Sequence, residues 1–127
     1  MRHAKATDKS QSKIVNELRQ AHIQVEVMSS AGNDFPDLLC CGPRGWVLLE
    51  VKELDGGKLK RGQIEFISRA KGFVSVVTEP WEAVSTVQDP VSLCIMRHQK
   101  DRLAAWLTQN PNQQEMRIKK FFELINL

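Results

Sequence analysis

Two apolar segments joined by a short turn limit what this 127-residue chain can fold into more than any other feature. The segments are residues 38–41 and 46–52, and the four residues between them read Gly-Pro-Arg-Gly. Glycine and proline favour tight turns, and short turns of this kind join the strands of β-hairpins. We therefore predict a hairpin of two largely buried strands at this place in the chain.

Helical and strand patterns flank the hairpin on both sides. Before it, apolar residues at helical spacing predict a helix over residues 10–21 with Ser10 as its N-cap, and alternation predicts a strand over residues 22–28. The elements expected after it are a helix over residues 59–70 closed by Gly72, a valine-rich strand over residues 73–78 and a helix that opens at Pro80. The order α-β-β-β-α-β-α predicts an α/β sandwich built around a mixed central β-sheet flanked by helices.

Residues 91–127 predict a C-terminal helical extension of this core. A short strand is expected over residues 91–96, and helices are expected over residues 99–108 and 115–125. The last helix is amphipathic, so its apolar side either covers the sheet or takes part in dimerisation or DNA contact. Since the chain shows no internal repeat and no linker, we expect a single domain over residues 1–127, with its core at about residues 10–88.

The composition excludes several classes of protein. With 42% hydrophobic and 26% charged residues, the chain is too apolar for disorder and too charged for a membrane protein, so we expect a cytoplasmic address and no membrane partner. Three cysteines are an odd number, and the three histidines are isolated, which argues against a disulfide framework and against a zinc site. The formal net charge of +3 is compatible with nucleic acid without requiring it.

Three charged residues stand at the ends of the predicted hairpin. In a strand, Glu50 and Lys52 point to the same face, and hairpin pairing brings Asp37 beside Glu50. Two adjacent carboxylates repel each other unless a cation lies between them, and hard oxygen ligands select Mg²⁺ or Mn²⁺. The backbone carbonyl of Val51 is then available as a further, neutral ligand.

This combination of residues suits phosphodiester hydrolysis. A divalent cation lowers the pKa of a bound water and polarises the phosphoryl oxygen, while Lys52 can hold the attacking water or stabilise charge in the transition state. Taken singly, Asp37 could belong to an Asx-turn, and Glu50 and Lys52 could form an edge-strand ion pair. The three residues together favour the metal site.

The pattern Pro36-Asp37 followed by Glu50-Val51-Lys52 resembles the signature of the PD-(D/E)XK nuclease superfamily. The helix, strand, Ser-Ala-Gly loop, hairpin and following helix are similar to those of VRR-NUC domain nucleases and archaeal-type Holliday junction resolvases, over about residues 10–88. The resemblance implies a restriction-endonuclease-like core and a Mg²⁺-dependent DNA endonuclease, in which Mn²⁺ can substitute for Mg²⁺.

The resemblance also assigns roles to individual residues. It implies that Asp37 and Glu50 are metal ligands, that Lys52 is the catalytic lysine and that Gln63 is an active-site residue carried by a helix. In those families the first helix often carries a glutamate. Gln11 stands at that place here and would ligate through its amide oxygen, which brings no charge.

Basic and aromatic residues suggest how nucleic acid is bound. The candidate phosphate contacts are Lys58, Lys60, Arg61 and Arg44, with Arg69 and Lys71 adding charge to the same helix, although a solvated helix face also explains these charges. Trp46, Trp81 and Trp106 either stack on exposed bases or belong to the core, and the core is the preferred interpretation for Trp81.

We expect a homodimer that cuts branched DNA such as a Holliday junction, because symmetric cutting of two strands requires two sites related by a two-fold axis. Two alternatives remain open. One is a nuclease for linear duplex, flap or RNA that uses the same site. The other is a non-catalytic nucleic-acid-binding or assembly subunit with the same fold.

Overall fold

A mixed four-stranded sheet forms the centre of the molecule, which is described here from a computed structural model for residues 5–127, with side chains from residue 9 onward. The helices and strands in chain order are α1 Lys5–Gln20, β1 Gln24–Val27, β2 Leu38–Gly42, β3 Gly45–Val51, β4 Lys58–Lys60, α2 Arg61–Arg69, β5 Phe73–Val77, α3 Pro80–Gln88, α4 Pro90–Leu93, α5 Arg97–Gln109, β6 Glu115–Arg117 and α6 Ile118–Ile125. The sheet order is β1-β2-β3-β5, with β3 and β5 parallel and the other pairs antiparallel. The predicted α/β architecture with a mixed central sheet flanked by helices is confirmed.

The central strand β3 separates two hydrophobic cores. Its residues Val47, Leu49 and Val51 point to one face and pack with apolar residues of α1 and α3. The opposite face of the sheet contributes Val74 and Val76 of β5 to a second core with α2, α5 and α6. Because side chains alternate along a strand, Leu48 and Glu50 lie on the α2 side of the sheet.

The C-terminal helix α6 belongs to this second core. Ile118, Phe121 and Ile125 are buried there together with Leu103 of α5. The apolar side of α6 therefore covers the α2 side of the fold, which confirms the first of the two alternatives for this helix. In residues 5–127, none of the helices combines the length and the apolar character needed to cross a membrane.

Several element boundaries differ from the predictions. The helix expected from residue 59 begins at Arg61, and the helix expected from residue 115 begins at Ile118, because residues 58–60 and 115–117 pair as the ribbon β4–β6. Leu59 and Met116 face each other in this ribbon and are both buried. Their pairing in a core overrides the local helical pattern.

Three other predictions are wrong for local reasons. The strand expected over residues 91–96 is replaced by the short helix α4, which Pro90 opens at its first position. Ser10 is not an N-cap, because α1 begins at Lys5. Gly72 is not the C-cap of α2, which ends at Arg69 with Ala70 in an extended conformation. The core position expected for Trp81 is also wrong, because 69% of this residue is exposed.

Candidate active site

Asp37 and Glu50 lie side by side at one end of the β2–β3 hairpin. Leu38 pairs with Leu49, so Asp37 and Glu50 are the next residues outward on the two strands. Asp37 Oδ2 accepts a hydrogen bond of 2.8 Å from the N–H of Val51, and the carbonyl of Asp37 accepts one of 2.7 Å from Met28. The backbone N–H of Val51 therefore holds the carboxylate of Asp37, and the backbone N–H of Met28 holds its carbonyl.

Glu50 is a buried carboxylate with two side-chain partners. Only 3% of Glu50 is exposed. Its Oε2 accepts a hydrogen bond of 3.0 Å from Gln63 Nε2 and lies 3.5 Å from Lys52 Nζ. The structure thus brings together the four residues Asp37, Glu50, Lys52 and Gln63, which we call the carboxylate cluster.

The charges of this cluster are poorly balanced. Burial and the neighbouring Asp37 carboxylate together raise the pKa of Glu50 to about 8, although the charge of Lys52 opposes the shift. Burial also raises the pKa of Asp37, against the N–H of Val51 and the charge of Lys52. One lysine therefore does not compensate the buried Glu50 and the half-buried Asp37, and without a further cation the pair retains a proton at neutral pH.

Gln63 connects the cluster to the start of α2. Its Oε1 accepts a hydrogen bond of 2.8 Å from the N–H of Lys60, which precedes the helix, while its Nε2 donates to Glu50. Both ends of the amide are thus engaged, so the side chain has one orientation. Gln63 is placed to hold the Glu50 carboxylate in position.

The loop that leads to Asp37 rests on α2, a feature that the sequence analysis missed. Asn33 and Asp34 have φ values of 55° and 63°, which residues other than glycine seldom adopt. Asp34 lies directly against Gly62, since a Cβ atom at Gly62 would come within 1.9 Å of Asp34 Oδ2. Two residues before Asp37, the ring of Phe35 packs edge-to-face on Phe66, with centroids 5.4 Å apart.

A signal for this loop is present in the sequence. Asn and Asp are the side chains most often found in the left-handed region, and they follow a glycine here. Their contact with Gly62 depends on how α2 docks and has no signal of its own.

A cavity of about 290 Å³ opens beside Lys52. Its lining includes Val51, Lys52, Glu53 and Lys58, together with Ser10 of α1. The Ser10 hydroxyl donates a hydrogen bond to the Glu53 carboxylate, which joins α1 to the end of β3. Lys52 therefore reaches both Glu50 and a space that is open to a small or extended ligand.

Gln11 bonds the loop that follows β1. Its amide oxygen accepts a hydrogen bond of 3.4 Å from Ser29. The preceding residue of that loop, Met28, donates its N–H to the carbonyl of Asp37. None of the hydrogen bonds within residues 9–127 joins Gln11 directly to Asp37 or Glu50, so its role as a metal ligand stays a prediction.

The four basic residues proposed to contact nucleic acid have different environments. Arg61 donates to the carbonyls of residues 107, 110 and 113 at 2.8–3.0 Å and lies 3.5 Å from Glu65, so its guanidinium is engaged within the protein. Lys58 forms an exposed ion pair with Glu115 at 3.1 Å. Arg44, in the β2–β3 turn, and Lys60 are exposed. Lys58, Lys60 and Arg44 remain accessible, whereas Arg61 has a structural role.

The donor set at the cluster fits a hard divalent cation with few protein ligands. Within the described part of the chain, no group of three or more His, Cys, Asp or Glu side chains is placed to hold a metal ion. Asp37 Oδ1 and Glu50 Oε1, however, receive no hydrogen bond from a described residue outside the pair. The Val51 carbonyl leaves β3 on the same side as its N–H, toward Asp37. Two carboxylates and one carbonyl are a set that suits Mg²⁺, which commonly retains water and substrate phosphate as its other ligands.

Comparisons of this chain with protein-family models, with curated proteins and with solved structures found no match.

Proposed function

We propose that this protein is a Mg²⁺-dependent DNA endonuclease of the PD-(D/E)XK type with a restriction-endonuclease-like core. The observation that carries the proposal is the adjacent pair of the half-buried Asp37 and the buried Glu50, with Lys52 on the same side of the strand. A structural core gains little from two uncompensated carboxylates, because each one costs desolvation energy. A site that binds a cation and a phosphodiester explains why both are present.

Each residue of the carboxylate cluster has its own role in the proposed reaction. Asp37 and Glu50, with the Val51 carbonyl, would hold the metal ion, and Gln63 keeps the Glu50 carboxylate in place. When bound, Mg²⁺ supplies a water of lowered pKa and polarises the scissile phosphate. Lys52 carries its ammonium at the edge of the cavity, where it can orient the attacking water or bind the phosphoryl oxygen that gains charge.

The proposed substrate is branched DNA, cut by a homodimer, with Mn²⁺ able to replace Mg²⁺. Each chain holds one carboxylate cluster, so symmetric cutting of two strands across a junction requires two chains. Linear duplexes, flaps and RNA present the same phosphodiester chemistry to this site. They are therefore alternatives that a substrate panel separates.

A second candidate is a non-catalytic nucleic-acid-binding or assembly subunit with the same fold. It is favoured by the lack of a third acidic ligand near Asp37 and Glu50 among the described residues, since the neutral Gln11 stands where an acidic ligand was expected. Such a subunit would bind DNA without a divalent cation and would not cut it. Metal dependence therefore distinguishes the two candidates.

The experiment is cleavage of a four-way junction, a flap, a linear duplex, single-stranded DNA and an RNA hairpin, with Mg²⁺, with Mn²⁺ and with chelator. Asp37→Asn is the test variant, and Asp89→Asn, at the exposed end of α3, is the control for loss of one negative charge. We expect junction-selective, metal-dependent cutting by the wild type and by Asp89→Asn that Asp37→Asn lacks. Equal cutting by all three proteins, or binding without any cutting, would contradict the proposal.

A further inference from the structure

An exposed tryptophan lies on the same sheet face as the carboxylate cluster. Trp46 belongs to β3, and alternation along the strand puts it on the same side as Leu48 and Glu50. Four residues of strand place Trp46 about 13 Å from Glu50. Half of Trp46 is exposed, so its indole is within reach of a ligand that covers the ring.

The space beside the indole of Trp46 is open. Val47 pairs with Phe73, so the neighbour of Trp46 on the next strand is Gly72, which has no side chain. A Cβ atom placed at Gly72 would meet no other atom within 4 Å. On the other side Trp46 pairs with Cys41, a small residue that is only half-buried. The indole is therefore accessible to a flat ligand.

The helix α2 leads from the cluster toward Trp46 and carries positive charge to that end. Gln63, in its first turn, donates a hydrogen bond to Glu50. Arg69, at the end of the helix, lies about 9 Å from Gln63 along the helix axis. The guanidinium of Arg69 lies 5.2 Å from the ring centroid of Phe66 and forms no ion pair with any described acidic residue. Lys71 and Arg44 are exposed at the same end of the sheet as Trp46.

Acidic side chains on either side of this part of the sheet limit the path of a polyanion. Glu26 of β1 pairs with Leu39 and is exposed at the outer edge. Asp101 of α5 is exposed and lines a cavity together with Arg69 and Lys71. A strand of nucleic acid that crosses this face is therefore expected to follow β3 and α2 and to avoid β1 and the start of α5.

We propose that this face binds a single-stranded segment of the nucleic acid substrate, with an unpaired base stacked on Trp46 and its phosphates near Arg69 and Arg44. This inference rests on the proposed function and narrows its substrate class to branched polynucleotides in which a base beside the cut is unpaired or is opened when the protein binds. A base stacked on an aromatic ring contributes affinity with little dependence on sequence, whereas a fully paired duplex has no free base face to offer. The carboxylate cluster, the indole of Trp46 and Arg69 thus define the path of one nucleic acid strand along this face, which we call the track.

The test is binding measured by fluorescence anisotropy in chelator, with a labelled oligothymidylate of about 12 nucleotides and a blunt duplex of the same length. The variants are Trp46→Leu and Trp46→Phe, and the matched control is Trp81→Leu, because Trp81 is exposed on α3, away from this face. Unchanged thermal unfolding midpoints establish that each variant is folded. Arg69→Ala is measured over a series of salt concentrations.

We expect Trp46→Leu to weaken binding of the single strand about tenfold, Trp46→Phe to retain most of it and Trp81→Leu to leave it unchanged. Binding of the duplex should be the same in all of these variants. Arg69→Ala should make the slope of log affinity against log salt concentration less steep, by the amount that corresponds to about one phosphate contact. Equal affinity of Trp46→Leu and wild type for the single strand, an equal loss in Trp81→Leu, or no binding of the single strand by wild type would overturn the inference.

These measurements do not depend on cleavage, since they are made without a divalent cation. A protein that stacks bases on Trp46 but cuts nothing would refute the endonuclease and leave the track established. A protein that cuts DNA without any contribution from Trp46 would refute the track alone.

Discussion

Gln63 joins the beginning of α2 to the buried carboxylate of Glu50 through a hydrogen bond of 3.0 Å, while its other amide atom accepts from the N–H of Lys60 at 2.8 Å. One side chain thus completes the helix end and orients a residue of the carboxylate cluster. Gln99 completes the start of α5 in the same way, with its Oε1 accepting from Met96 at 2.7 Å, but its other contact is the carbonyl of Ile125.

This pair of glutamines separates structural from functional effects. We expect Gln63→Ala and Gln99→Ala each to lower the free energy of unfolding by about 1 kcal/mol, because each loses a hydrogen bond at a helix end. Only Gln63→Ala should also reduce the rate of DNA cleavage, by about tenfold or more, since Glu50 loses its orienting donor. Denaturant unfolding and single-turnover cleavage measure the two effects. Equal cleavage rates for the two variants would show that Gln63 is a capping residue alone.

The stability of the metal-free protein should fall as pH rises. Glu50 has a pKa of about 8 in the folded protein, against an ordinary pKa of 4.5 for a solvated glutamate, so between these values the folded state holds a proton that the unfolded state has released. Stability then decreases with pH across this window, and Asp37, whose pKa is also raised, acts in the same direction. The measurement is thermal unfolding in chelator at a series of pH values. Glu50→Gln should flatten the profile, and an unchanged slope in that variant would refute the assignment to Glu50.

The contact between Asp34 and Gly62 predicts that a substitution on α2 affects the position of Asp37 in the carboxylate cluster. In Gly62→Ala the new methyl group would meet Asp34 Oδ2 at 1.9 Å, so the exposed Asp34 side chain must turn away from α2. Because the obstructing atom is the end of a flexible side chain, we expect a loss of no more than about 1 kcal/mol in stability, together with slower cleavage because the loop before Asp37 loses its contact with α2. Replacing Asp34 by glycine in the same chain removes the clash and the left-handed strain. The double variant should therefore recover both the stability and the cleavage rate of the wild type. Additive losses in the double variant would contradict the contact.

Arg61 should matter for stability and not for nucleic acid binding. Its guanidinium donates to three carbonyls at the end of α5 and after it, so Arg61→Ala removes three hydrogen bonds at once, and of these carbonyls that of Asn110 keeps the N–H of Gln113 as a donor. We expect a loss of about 2 kcal/mol in the free energy of unfolding, whereas Lys60→Ala, an exposed neighbour, should leave the unfolding transition unchanged. Chemical unfolding checks both variants. A weaker affinity for DNA in Arg61→Ala, with unchanged stability, would restore the role first expected for this residue.

The sequence predicted the elements whose pattern is local. β1, β2, β3 and β5 were found because their apolar residues alternate or run together between turn residues, and the hairpin register follows from the Gly-Pro-Arg-Gly turn. The proximity of Asp37, Glu50 and Lys52 followed from the same register. These three residues could be grouped from strand geometry alone.

The parts that were missed depend on contacts between distant segments. The ribbon of Leu59 with Met116 has only three residues in each strand and forms because both side chains are buried against the second core. The engagement of Arg61 likewise depends on where α5 docks. Neither arrangement has a local signal. Periodicity therefore predicted helix for the residues of the ribbon, and the positive charge of Arg61 predicted a phosphate contact.

The central claim is tested most directly by the cleavage rate of Lys52→Ala in Mg²⁺, with Lys119→Ala as the control. Lys119 is an exposed lysine of α6 that pairs with Asp55 at 2.9 Å and not with Glu50, so its loss removes one positive charge and leaves the contacts within the carboxylate cluster intact. We expect Lys52→Ala to fold, to bind DNA and to lose cleavage by about 100-fold or more, and Lys119→Ala to cut at the wild-type rate. Wild-type turnover in Lys52→Ala would contradict the proposed active site.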